Sequence, residues 1–75
     1  MIVLGVEVTP AIDAACMTRM RAEWFTAGQL SDLVERAGKL AGHHPVAYRV
    51  ADRLIQRERK AGNLVRYGKG WMWKP

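Results

Sequence analysis

The sequence is poor in several things, and each shortage excludes a class of protein. Cys16 is the only cysteine, so no internal disulfide can staple the fold, and a reducing compartment is expected. No stretch approaches the roughly 20 apolar residues of a membrane-spanning helix. Met1-Ile2-Val3-Leu4 is too short for the apolar core of a signal peptide, and no basic residue precedes it. A cytoplasmic protein that makes no membrane contact is therefore the expectation. Low-complexity runs are also missing. With 49% hydrophobic and 25% charged residues, the composition is that of a globular chain and not of a disordered tail. Seventy-five residues allow one domain, 1–75, with a small core.

The residue patterns of catalysis are absent as well. There is no Ser/His/Asp or Cys/His arrangement and no glycine-rich phosphate loop. Cys16 falls on an apolar helix face, where a buried thiol is unreactive. His43 and His44 are adjacent and make poor co-ligands, and no second cysteine or acidic cluster stands at ligand spacing. No enzyme, metal or cofactor is expected.

Acidic residues are scarce in the second half of the chain. Residues 1–38 carry three arginines against five acids, a net −2. Residues 39–75 carry nine Lys or Arg against only Asp52 and Glu58, a net +7. The whole chain is +5 with a pI near 10.0, which favours a polyanionic partner or an acidic surface.

In order, residues 1–8 read as an edge strand or an ordered arm, ended by Thr9-Pro10, a helix-start signal. Ile12, Cys16, Met20 and Trp24 share one ridge of a first helix, over residues 11–24, with Met17 beside it. A second helix, 27–38, follows a brief extended segment. Thr26 and Gln29 have capping-box spacing, and Phe25 and Leu30 that of a hydrophobic staple. Leu30, Leu33, Val34 and Ala37 form its buried face. Residues 39–44 connect to a long third helix, 45–61, started by Pro45 and capped by Gly62. One side of it gathers Ala47, Val50, Ala51, Leu54 and Ala61, with Ile55 at the edge. Arg49, Arg53, Gln56 and Lys60 lie opposite, flanked by Asp52 and Arg59. The period then becomes alternating. Leu64–Arg66 and Trp71–Trp73 read as strands of a hairpin, 64–73, turned by Tyr67-Gly68-Lys69-Gly70. Three narrow apolar stripes must share one core, closed on one side by the hairpin.

From residue 11 to residue 73 the order resembles a winged helix-turn-helix domain. The resemblance rests on FTAGQLSDLV as the first helix of the motif and on AYRVADRLIQRERKAGNLVR as a recognition helix running into the first wing strand. The Ala61-Gly62-Asn63-Leu64 junction is similar to that of the family. Small size and a short wing are similar to phage and mobile-element regulators. The fold class implied is α+β, mainly helical: a three-helix winged helix-turn-helix with a C-terminal β-hairpin wing and an N-terminal edge strand. Two features depart from the pattern. The connection before the third helix is long, and Glu58 stands near the packing face, where an acid calls for a rim position and a cation such as Arg19 or Arg21.

What the resemblance implies is sequence-selective binding of double-stranded DNA, in transcriptional regulation or nucleoprotein assembly. Base edges would meet Tyr48, Arg49, Asp52 and Arg53, with Gln56 behind them. The DNA backbone would meet His43, His44, Arg59, Lys60, Arg66, Tyr67, Lys69 and Lys74. Protonation of His43 and His44 would strengthen binding as pH falls towards about 6. Such modules act as a homodimer or side by side, with residues 1–8 as a contact. The plain alternative for the basic stripe is a solvated charged face. Rival functions are a protein–protein adaptor, or an RNA or single-strand binder in which Trp71 and Trp73 stack on bases. Otherwise those two pack the core, with Trp24 and Phe25 as neighbours.

Overall fold

Capping residues place the helices of the computed structural model, which describes residues 2–38 and 44–74. Thr9 has extended backbone angles, and its hydroxyl accepts the Ile12 amide at 3.3 Å, so α1 (Pro10–Ala22) begins with proline in its first turn. Helix α2 (Ala27–Ala37) opens on a complete capping box. The Thr26 hydroxyl accepts the Gln29 amide at 3.1 Å, and the Gln29 side chain accepts the Thr26 amide at 3.0 Å. Phe25 and Leu30, on either side of that box, are both wholly buried. Replacing Thr26 by Ala is expected to lower unfolding stability by about 1 kcal/mol, read from urea melts, while Thr26→Ser keeps most of it. An unchanged midpoint for Thr26→Ala would mean the box contributes nothing.

Helix α3 (His44–Lys60) ends in a Schellman motif. The Gly62 amide donates to the Arg59 carbonyl at 3.0 Å and the Asn63 amide to the Glu58 carbonyl at 2.9 Å, with Gly62 at φ +83°. Ala61 therefore lies beyond the helix and is exposed, not on the buried face. The chain runs directly into β3 (Leu64–Tyr67), which pairs antiparallel with β4 (Gly70–Trp73). The register sets Leu64 opposite Trp73 and Arg66 opposite Trp71, so the turn tightens to two residues, Gly68 and Lys69. Gly68 takes φ +57°, which glycine allows at little cost.

Residues 2–8 do not form a single edge strand. They fold back on themselves as β1 (Ile2–Val3) and β2 (Val6–Glu7), with Leu4 and Gly5 both at positive φ in the turn. Val3 and Val8 are buried and tie this small hairpin to the core, while Ile2 and Leu4 face water.

Helix α1 also ends earlier than its ridge suggests. Glu23 is extended, at φ −163° and ψ 177°, and Trp24 is 46% exposed. The cause is Phe25. Its side chain is wholly buried, and its backbone exchanges two hydrogen bonds with Trp71, at 2.9 and 2.7 Å. Side chains alternate along extended backbone, so burying Phe25 turns Trp24 outward.

The result is an α+β, mainly helical, winged-helix layout. Three helices share one core, with Ile12, Cys16, Met20, Leu30, Val34, Val50, Leu54 and Ile55 at its centre. The wing docks on it through the Phe25–Trp71 bridge. Trp71 and Trp73 pack partly against this core. Among the described residues, no helix is long and apolar enough to cross a membrane.

Candidate nucleic-acid interface

The buried face of α3 carries Ala47, Val50, Ala51, Leu54 and Ile55, so the residues set against them must face outward. Tyr48, Arg49, Arg53, Arg59 and Lys60 are exposed, and Asp52 and Gln56 are half-exposed. On the wing, Arg66, Tyr67 and Lys69 are exposed, as is Lys74 just after β4. The side chains of Arg49, Arg53, Lys60, Lys69 and Lys74 form no hydrogen bond or ion pair with any other described residue. Asp52 holds neither Arg49 nor Arg53 in an ion pair. The side-chain donors of these cations are unengaged among the described residues.

Other site residues are already engaged. Arg59 donates to the Gln56 side-chain oxygen at 2.9 Å, which leaves its remaining guanidinium nitrogens facing out. Arg66 lies over the Trp71 ring, 4.8 Å from its centroid, across the hairpin. His44 Nδ1 lies 2.7 Å from a Glu35 carboxylate oxygen, joining the end of α2 to the start of α3. His43 lies outside the described residues.

Sequence reasoning assigned no role to Arg57, and the structure gives it a central one. Its two terminal nitrogens donate to the Asp13 carboxylate at 2.7 and 3.0 Å, and its Nε donates to Glu58 at 2.7 Å. Asn63 donates to the other Glu58 oxygen at 2.9 Å. Glu58 is thus 7% exposed and fully bonded, with Arg57 and Asn63 as partners in place of the expected Arg19 or Arg21. Those hydrogen bonds from Arg57 hold the Asp13 carboxyl below its ordinary 3.8 and push the Arg57 guanidinium pKa upward. One cation of the basic half is therefore structural: it fastens α3 to α1 and to the start of the wing.

Cys16 is wholly buried. Burial first, and then the Asp13 carboxylate, push its thiol up to about 11, so it is protonated and inert at neutral pH. Among the described residues, no group of three His, Cys, Asp or Glu side chains is placed to hold a metal ion. Comparison with protein-family models, curated proteins and solved structures finds no match.

Proposed function

We propose that this protein is a winged helix-turn-helix module, of the small phage or bacterial-regulator type, that binds double-stranded DNA. Helix α3 enters the major groove and the wing tip lies on the adjacent backbone. Its role is transcriptional regulation or assembly of a nucleoprotein complex. The observation that carries this reading is the division of the cations. Arg57 is bound inward by two acids, whereas Arg49, Arg53 and Lys60 stand without partners among the described residues on the side of α3 opposite its buried face. A cylinder with one packed side and one side of free guanidiniums fits the major groove, where Arg can bond both acceptors of guanine. Lys69, in the Gly68–Lys69 turn, supports a phosphate contact beside it.

The reading predicts a steep salt dependence. Fluorescence anisotropy with a mixed-sequence duplex, repeated across salt concentrations, is expected to give a log–log slope of about −0.9 for each phosphate contacted. An Arg49→Ala/Arg53→Ala variant is expected to bind about tenfold more weakly or worse, with unchanged unfolding stability, because neither side chain supports the fold. A flat salt response, or full affinity in that variant, rejects DNA binding through α3.

A further inference from the structure

Three aromatic side chains are left about half in water by the fold, and two of them, Trp24 and Tyr67, lie together, away from Tyr48 on α3. Trp24 is 46% exposed, turned outward because Phe25 beside it is buried, and Tyr67 is 51% exposed at the end of β3, next to the Gly68–Lys69 turn. They meet each other. Their ring centroids lie 6.1 Å apart, with the planes inclined at 36°. Between them and the core runs an open groove of about 360 Å³, lined also by Met20, Arg21, Met72 and Trp73. The Arg21 guanidinium lies over the Trp73 ring, 4.9 Å from its centroid. Glu23 also lines the groove, with Arg19 3.8 Å from its carboxylate.

The two rings touch as a tilted pair, and the half of each that faces solvent offers an aromatic surface on which a base can stack. The surroundings are cationic: Arg21 at the groove wall, with Lys69 in the turn that follows Tyr67. An aromatic cleft with a positive rim matches an unpaired nucleobase and its phosphate, and accepts any base because every base has a π-face. A neutral apolar peptide would use the rings and leave the cations idle.

We propose that the Trp24–Tyr67 groove is a stacking site for a single unpaired nucleobase. It rests on the DNA-binding reading above and narrows it: the protein prefers duplex carrying a bulged or flipped nucleotide beside the wing over fully paired duplex. Helix α3 holds the paired part and the groove takes the extruded base.

The test uses the full chain and two mixed-sequence duplexes, one fully paired and one identical except for a single bulged fluorescent aminopurine. The bulged duplex is expected to bind about tenfold tighter, and its aminopurine to be quenched on binding. Trp24→Ala is expected to erase both the preference and the quenching while keeping its affinity for paired duplex; Trp24→Phe is expected to keep both. Equal binding of the two duplexes without quenching overturns the groove site and leaves DNA binding standing. If neither duplex binds, the DNA reading and the base site fall together. A Trp24→Ala variant that keeps the bulge preference but dissociates a self-assembled form would instead assign the groove to a second copy of this chain, whose exposed Ile2 and Leu4 would be its occupants, and would overturn the proposal.

Discussion

A Gly70→Ala variant is expected to lose about 3 kcal/mol of stability, the upper end of what one added methyl group costs in a packed site. A Cβ at position 70 would stand 2.1 Å from the Phe25 carbonyl oxygen, 2.8 Å from its carbonyl carbon and 3.3 Å from the Thr26 Cα. All three are backbone atoms, so no rotamer change relieves the contact. The same carbonyl accepts the Trp71 amide at 2.7 Å, and moving it breaks the bridge that docks the wing. A core of this size supplies roughly 3 to 5 kcal/mol in all, so the variant is expected to be largely unfolded at room temperature. Far-ultraviolet circular dichroism and urea melts would show this. Gly68→Ala is the comparison: its φ of +57° strains an alanine, but nothing lies within 4 Å, so its loss is expected to be smaller. A Gly70→Ala midpoint equal to that of the parent chain would show that the bridge is not close-packed.

Arg57→Met is expected to have the next largest effect. The methionine fills the space of the stem and removes the guanidinium, leaving buried Glu58 with Asn63 alone and Asp13 without its bidentate partner. Breaking a fully buried pair costs more, but Arg57 and Asp13 are each about one-third exposed, so about 2 kcal/mol is expected after solvent screening. Adding Glu58→Gln to Arg57→Met should recover part of that loss, because it removes the charge left unpaired. Two losses that simply add would show that the groups do not interact. The pair also sets an acid limit. Because the folded-state pKa of Asp13 is depressed, its contribution is fully present above about 3.8 and is lost as pH falls through the lower folded value. Urea melts of Asp13→Asn should therefore show lower stability at neutral pH and a shallower decline below about pH 3.8 than the parent chain. Parallel pH curves would reject the linkage.

How far each feature was legible follows from the range of the interaction that makes it. Thr9, Thr26 with Gln29, and Gly62 act within four or five residues of themselves, and each forms the cap that its spacing implies. The wing hairpin was legible for the same reason, since two alternating stretches flank a turn that holds Gly68 and Gly70. Leu4 was not legible as a turn residue, because a leucine at φ +50° is rare and only the pairing of Val3 with Val6 demands it. Trp24 was misplaced because periodicity extended the α1 ridge through it. The competing demand, a backbone bridge from Phe25 to a residue 46 positions later, leaves no trace at that spacing. Arg57 was missed because one more arginine among arginines carries no mark of the acid it will meet. That acid is Asp13, 44 residues away.

The sequence by itself determined the helical order, the caps, the packed side of α3 and the concentration of positive charge in the second half. Each is set by neighbours along the chain or by composition, and survives any arrangement of the elements. Only the tertiary structure decided which cations are bound inward and which remain without partners among the described residues, that Gly70 must lack a side chain, and that Trp24 and Tyr67 come together in solvent. Those outcomes depend on pairs of residues 40 or more positions apart. Their energies exist only once the helices and the wing have docked.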